Sequence, residues 1–578
     1  MPSTDSTARS AGPLPIGISD FGKLIRGNHT FIDKSLLIRD LIRDGAEVTL
    51  LTRPRRFGKT LNLSILHHFF ANEVSGQSTA GLFDGLDINR DTDCMAHQGQ
   101  HPVIFFTFKD IKEGRFEDAI AKLVDTLKDL YLQYPELMES NALADVQKAD
   151  IQAMLEKKTD LSQLASAFKR LSQFLFLHHQ KHVLLLIDEY DTPIHAAYVH
   201  GYYEEMINLM RGLLGAGLKD NPYLYKGVVT GILRVSRESL FSGVNNLELY
   251  TVLDRNYSQY FGFTEAEMKK LLRDFDAAAL TADIQSWYNG YQFGEHVIYN
   301  PWSIINCLKQ RGELRPYWLN TSDNSLLKSL MARADVRFKQ KMEQLIQNHS
   351  IEAQIDPNLV FGDLNKNTMA LWSLLLFSGY LTAGDPRYDI QGRVTCQLRV
   401  PNLEVLGLYQ RHIEEWFSDS MGREGYGDFL NCLVTGNLEE FEARLTEYLR
   451  ESASAFDAEK QQPEKFYHGL VLGLIVGLKD THVIHSNRES GFGRYDVALL
   501  PRETAPADQR RGILMEFKAV KNTQPLADAA QAALQQIDQR RYQAELEQHR
   551  LSDILKIGLA FSGKQVAMQF ATLRGNQQ

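Results

Sequence analysis

Two groups of residues carry the chemistry this sequence can do. The first is Arg53-Pro54-Arg55-Arg56-Phe57-Gly58-Lys59-Thr60, which follows a short apolar run and opens a helical stretch. A loop in that context offers backbone amides and a helix N-terminus to phosphate. Arg56, Gly58, Lys59 and Thr60 are its candidate nucleotide contacts, with Lys59 reaching the β- and γ-phosphates and the Thr60 hydroxyl coordinating Mg²⁺. The general pattern has glycine first, and Arg53 stands in its place. A second motif follows in order: Val183 to Ile187 is apolar and delivers Asp188-Glu189-Tyr190-Asp191. At the end of a buried strand, Asp188 suits Mg²⁺ and Glu189 suits polarising an attacking water. The ordinary alternative is a helix cap, since acids favour that place too. A third run ends at Thr230-Gly231, before Arg234, Ser236 and Arg237. Thr230 is a candidate γ-phosphate sensor and Arg237 a candidate finger, set against plain solvated surface.

The second group lies near the C-terminus. Asp496 follows Gly491-Phe492-Gly493-Arg494-Tyr495, and Glu516-Phe517-Lys518 comes 20 residues later. On two adjacent strands that spacing suits a hairpin, which would bring both carboxylates to one Mg²⁺ that keeps most of its waters. Lys518 would face the same side of its strand as Glu516, where it can orient or deprotonate water for phosphodiester hydrolysis. Charges inside the apolar run Ile513-Leu514-Met515 … Ala519-Val520 call for a reason. A solvent-facing strand with ordinary charges is the plain alternative.

These groups need elements to position them. Buried strands at 48–51, 103–108, 183–187 and 225–232 alternate with helical patterns at 60–70, 116–132 and 161–177, which predicts a parallel sheet covered on both faces. Thr264 to Glu267 is a capping box, and Asn300-Pro301 opens another helix. Residues 367–417 read as helix, hairpin, helix, a winged-helix-like unit whose second helix is either a reader of duplex DNA or, the preferred reading, a packing module. Phe466 to Leu478 reads as an apolar helix. Strands at 495–500 and 512–517, a helix at 525–548 and a strand at 554–561 complete a small domain.

Length and composition bound the class. The chain has 578 residues, enough for several cores, and its 44% hydrophobic and 23% charged content is that of a folded globular protein. Four scattered cysteines form no CxxC pair, which disfavours a disulfide scaffold or a zinc site and fits a reducing cytoplasm. Residues 1–15 lack an apolar core and read as a disordered tail, neither signal peptide nor anchor. The greasy run Leu470 to Leu478 is far short of the roughly 20 residues of a membrane span. The net charge of −9 argues against a nucleic-acid coat protein, although residues 463–578 hold 15 Lys and Arg against 12 Asp and Glu.

Phe31 to Ser35, Thr52 to Thr60, Leu186 to Pro193, Ser242 to Leu247, Trp287 to Tyr291 and Tyr299 to Ser303 together resemble the predicted AAA-ATPase-like family. In that family Arg-Pro-Arg-Arg-Phe-Gly-Lys is the usual loop, so Arg53 matches it. Asp33-Lys34-Ser35 is either a nucleotide contact or, the preferred reading, a helix start. Trp287, Tyr288, Tyr291 and Phe293 read as small-domain core before base-stacking platform. Phe466 to Leu470, Gly491 to Asp496, Glu516 to Lys518, Gln536-Ile537 and Tyr542 resemble the PD-(D/E)XK nuclease superfamily. This resemblance implies Asp496, Glu516 and Lys518 as the catalytic set, with Gln536 and Tyr542 on the following helix as added contacts to metal or substrate. Glu464, His468 and Glu489 are weaker candidates, His468 being better suited to a structural role. The superfamily's variable proline before the first Asp is replaced by Tyr495.

The organisation expected is an α/β chain: a tail at 1–15, a P-loop parallel-sheet ATPase with a small helical subdomain at 16–310, a helical, winged-helix-like middle at 311–462, and a restriction-endonuclease-like α/β domain at 463–578. The function expected is ATP hydrolysis coupled to Mg²⁺-dependent nucleic-acid cleavage, DNA before RNA, in a cytoplasmic protein able to form homo-oligomers. The alternative is an ATP-driven switch whose C-terminal domain binds nucleic acid or partners without cutting. A phosphotransferase is disfavoured, since no acceptor site is visible.

Overall fold

The structure is a computed structural model. It describes residues 12–574 apart from 220, 234–245, 319–335, 347, 358–367, 392, 410, 412–422, 452–466, 468–470, 473, 487–488, 491–492, 521–524, 541, 543–545, 547–550, 552 and 564. Residues 1–11, Arg237, Ser242 to Asn245, Glu464, His468 and the end of the second helix expected within 367–417 lie outside the described residues. The chain forms two compact units, Met1–Leu330 with Ser350–Val405, and Met331–His349 with Leu406–Gln578.

The first unit is built on a five-stranded sheet: β1 (Val48–Thr52), β2 (Val103–Thr107), β3 (Val183–Asp188), β4 (Leu224–Gly231) and β5 (Leu247–Tyr250). The strand order is β2-β3-β4-β1-β5, and every pairing is parallel. All six residues of β3 and all five of β1 are buried, as expected of strands covered on both faces. Helix α1 (Lys59–Phe70) packs on the sheet, as do the helices Phe116–Tyr131 and Ala167–His179. The helix expected over 161–177 is two, Leu161–Ala165 and Ala167–His179. Ser166 leaves helical geometry between them and turns its hydroxyl onto the carbonyl of Gln163. Strand β5 was not anticipated: it is short, lies at the sheet edge, and exposes Glu248.

The capping box closes as expected, with Thr264 Oγ1 accepting from the Glu267 amide and Glu267 from the Thr264 amide. Asn300 Oδ1 accepts from the amides of Trp302 and Ser303, starting the helix Pro301–Lys309. Tyr288, Tyr291 and Phe293 are buried, in keeping with the core reading. Further on, Thr368–Phe377 is a helix, and the hairpin Thr382–Tyr388/Val394–Arg399 follows. A third strand, Ile351–Ile355, pairs with Val394–Arg399 and completes an antiparallel sheet. Its alternating burial was missed because a single polar-apolar alternation of five residues is a weak signal.

The second unit holds β6 (His482–Ser486), β7 (Val497–Pro501), β8 (Gly512–Ala519), α2 (Leu526–Gln539), β9 (Asp553–Ser562) and β10 (Gln565–Arg574). The sheet runs β6-β7-β8-β9-β10, with only β8–β9 parallel. Period-two alternation divides its faces. Val497, Leu499, Ile513, Met515 and Phe517 pack with Phe429, Leu433, Phe441 and Leu445 of the helices Arg423–Thr435 and Leu438–Glu451. Ala498, Leu500 and Leu514 pack with Leu534 and Ile537 of α2. Helix α2 stops at Gln539, not at 548. The Tyr542 amide folds back onto the Ile537 carbonyl, and its ring joins the buried cluster with Tyr495 and Leu546. Strand β10 was not read from the sequence. Among the described residues no helix is long and apolar enough to cross a membrane.

Candidate functional site

The parallel sheet gathers the first site at the carboxyl ends of three neighbouring strands. Strand β1 runs into the loop 53–58, where Arg56 (φ 69°) and Gly58 (φ 85°) both take left-handed conformations. Gly58 does so without strain, whereas Arg56 is an uncommon occupant of that region. Helix α1 then begins at Lys59, its N-terminus beside the loop. Strand β3 ends at Asp188 and β4 carries Thr230 next to it. The buried Asp188 carboxylate takes both hydroxyls: Thr60 Oγ1 donates at 2.7 Å and Thr230 Oγ1 at 2.6 Å. Burial pushes the Asp188 carboxyl above the usual carboxylate range, with the two hydroxyls acting against it.

Lys59 is buried, and its Nζ donates to the carbonyls of Arg53 and Pro54 at 3.0 and 2.9 Å. Burial lowers its pKa, while Glu189, Asp188 and Asp191 hold the charge on. Glu189 follows Asp188 with φ 52°, a strained backbone for a branched-free acid, and accepts from the Thr192 hydroxyl at 3.4 Å. Asp191, whose role the sequence did not single out, is buried and accepts from the amides of Ile232 and Leu233, fixing the chain as it leaves β4. Its carboxyl is also pushed up by burial.

The loop arginines have separate environments. Arg53 is fully buried, its Nη1 donating to the Thr52 and Tyr250 carbonyls, with the guanidinium 5.0 Å from the Phe261 ring and 5.6 Å from Phe293. Burial brings its pKa down to about 10. A side chain caged this way clamps the start of the loop where the general pattern has glycine. Arg56 lies 4.1 Å over the Trp302 ring; burial lowers its pKa, and the Glu189 charge acts against that. The Arg55 carbonyl accepts from the Trp318 indole N–H at 3.1 Å. Trp302 and Trp318 were not singled out for this site, because nothing local marks them as neighbours of the loop. Lys34 bonds Glu267 and the Gln259 carbonyl, a structural tie in keeping with the helix-start reading.

The second site stands on one sheet face. Asp496 immediately precedes the first ladder pair of β7 and β8, Val497 with Met515, so it falls beside Glu516. Its Oδ2 accepts from the Phe517 amide at 2.7 Å. Glu516 is buried, and Gln536 Nε2 of α2 donates to its Oε1. Gln536 also lies 3.5 Å from the Tyr542 hydroxyl. Lys518 is two residues on, on the face of β8 that Glu516 occupies. Burial raises the Tyr542 phenol, and the charges of Glu516 and Asp496 add to the rise. The sequence reading missed Gly558, the β9 partner of Glu516. A Cβ there would stand 2.2 Å from the Ala530 carbonyl oxygen and 2.5 Å from the Leu534 amide nitrogen, so glycine lets α2 lie close enough for Gln536 to reach Glu516. A lone glycine inside an apolar strand is the signal that marks such an approach.

The structure therefore brings together Gly58, Lys59, Thr60, Asp188, Glu189 and Thr230 at one strand edge, with Arg56 on its Trp302 stack beside them. It brings Asp496 and Glu516 together in the second unit. Hard oxygen donors at Thr60 with Asp188, and at Asp496 with Glu516, are the kind that hold Mg²⁺. Glu489 lies on a two-residue strand paired with Gly493–Arg494.

Comparison with known proteins agrees with this division. Residues 15–241 match the family described as predicted AAA-ATPase, and residues 462–570 match the PD-(D/E)XK nuclease superfamily. Over nearly its whole length the chain is similar to a protein of Azotobacter chroococcum mcd 1 described as an uncharacterized protein in the vnfD 5'region. The two are 28% identical over 573 residues, which span 95% of this chain and 96% of that one. The chain thus joins a region that matches the predicted AAA-ATPase family to a C-terminal region that matches the PD-(D/E)XK nuclease superfamily.

Proposed function

We propose that the protein binds and hydrolyses ATP in its first unit and cleaves phosphodiester bonds of nucleic acid, DNA before RNA, in its second. The observation that carries the nucleotide half is the buried Asp188 carboxylate shared by the Thr60 and Thr230 hydroxyls beside Lys59. Lys59 supplies positive charge for the phosphates, and Arg56 adds to it. Thr60 and Asp188 would hold Mg²⁺, and Thr230 holds Asp188 in place. Glu189 is the base or water-positioning group. For the nuclease half, Asp496 and Glu516 would hold Mg²⁺, which when bound acidifies water and neutralises phosphate charge. Gln536 orients the Glu516 carboxylate, and Lys518 orients the attacking water or takes its proton.

Four free, buried cysteines support a cytoplasmic setting. The test is direct: full-length protein is incubated with labelled single-stranded, duplex and branched DNA and with RNA, with and without ATP and divalent metal. Cleavage that needs metal and disappears with chelator is expected. Cleavage that survives chelator overturns the nuclease mechanism. If no substrate is cut while ATP is still hydrolysed, the second unit is a binding module under ATP control.

A further inference from the structure

The phosphate-binding loop is gripped from outside the parallel sheet by two tryptophans, and both are yoked to one carboxylate. Glu404 is fully buried. Its Oε2 accepts from the Ser303 hydroxyl at 2.8 Å and its Oε1 from the Trp318 amide at 2.7 Å. Ser303 adjoins Trp302, whose ring carries the Arg56 guanidinium. Trp318 sends its indole N–H to the Arg55 carbonyl. The tryptophans are themselves linked, since the Trp302 indole donates to the Tyr317 carbonyl at 3.1 Å. All these residues belong to the first unit. A buried acid with two donors in hand is costly to leave half-satisfied. Its two donors come from the only two segments that touch Arg55 and Arg56 through tryptophan rings among the described residues.

We propose that Glu404 is a positioning residue for nucleotide binding: by fixing Trp302 and Trp318 it holds the Arg55–Arg56 stretch of the loop in the shape that receives phosphate. This rests on the ATP reading above. Arg56 sits in left-handed backbone, so the loop shape is not one a free chain would favour. The stack on Trp302 and the bond to the Arg55 carbonyl flank that residue and hold it there. Glu404 touches no phosphate itself and acts through its two neighbours.

The test uses full-length protein, a fluorescent ATP analogue for Kd, and steady-state hydrolysis for KM and kcat. Trp318→Phe keeps a ring and removes the indole donor. It is expected to raise Kd and KM together by about 3- to 10-fold, the value of one hydrogen bond, with kcat within about twofold of wild type. Glu404→Leu is expected to do at least as much, and Glu404→Gln, which keeps an acceptor for Trp318, to recover most of the loss. A merely structural role predicts the opposite split: a lower melting temperature and less active protein, with Kd and KM unchanged. That result in Trp318→Phe overturns the proposal. Lys59→Ala separates loss of the nucleotide site from loss of the positioning contact. If wild type binds no ATP, the nucleotide reading fails and takes this one with it. If Lys59→Ala abolishes binding while Trp318→Phe binds as wild type does, the positioning role alone fails.

Discussion

The two sites solve one problem, collecting oxygen donors and a lysine, on sheets of opposite design. In the first unit the donors come from residues 60, 188 and 230, far apart in sequence and joined by parallel strands that all end on one edge. In the second, Asp496 and Glu516 meet across a single antiparallel pair. The parallel arrangement makes the first site deep and dependent on many segments, so its polar groups are paired with one another and shifted by burial. The antiparallel arrangement makes the second compact, and it is closed by one helix packed on β9 at Gly558. The first should therefore be sensitive to remote substitutions and to pH, the second chiefly to its own residues and to the fit of α2.

The largest expected effect lies in the second site. On the proposed function, Glu516→Ala removes one of the two carboxylates that would hold metal and should lower DNA cleavage by about 10³-fold or more while ATP turnover continues. A gel assay beside a phosphate-release assay reads both, and parallel loss of the two activities would break the separation of sites. Next, Glu189→Gln should retain nucleotide binding and reduce hydrolysis by about 10²- to 10⁴-fold, the usual range for a base. Unchanged turnover would remove Glu189 from its role.

A third measurement probes the depth of the first region. Burial raises the Glu404 carboxyl from 4.5 to about 7. The folded state then holds a proton that the unfolded state has lost, so stability falls as pH rises from about 4.5 to about 7 and is level outside that window. Glutamine cannot lose a proton. Relative to wild type, Glu404→Gln should gain up to about 3 kcal/mol between pH 4 and pH 8. Tryptophan fluorescence during denaturation, followed in a Trp416→Phe background, reads this unit, because the other four tryptophans, Trp287, Trp302, Trp318 and Trp372, all lie in it. A pH-independent difference would show that Glu404 is less buried in solution.

The sequence carried the motifs well and their surroundings poorly, for a physical reason. Gly58-Lys59-Thr60 and Asp188-Glu189 are legible because a phosphate loop and a strand end each need fixed residue types at fixed short spacing. Asp496 and Glu516 were legible because one hairpin joins them. Trp318 and Glu404 were not, since a tertiary hydrogen bond leaves no local pattern. The strands Leu247–Tyr250 and Gln565–Arg574 were missed at sheet edges, where half-exposed residues blur the apolar run. The stop of α2 at Gln539 was missed because no glycine or proline marks it, and packing of Tyr542 decides it.

The smallest effect sharpens the comparison most. Gly558 sits opposite Glu516 on β9, and only the absence of a side chain lets α2 lie against the strand there. Gly558→Ala adds one methyl group where the neighbours are backbone atoms of Ala530 and Leu534, which cannot rotate away. Helix α2 must then shift outward, at about 1–3 kcal/mol for overpacking. The shift carries Gln536 away from Glu516, so cleavage should fall further than the lost stability explains, by roughly 10-fold at a temperature where the protein is folded. Nucleotide turnover should hold, since its donors sit on the other sheet. Circular dichroism fixes the folded fraction, and cleavage is then compared per folded molecule. Full cleavage per folded molecule would mean that Gln536 need not hold Glu516, and that the second site is as self-contained as two adjacent strands alone can make it.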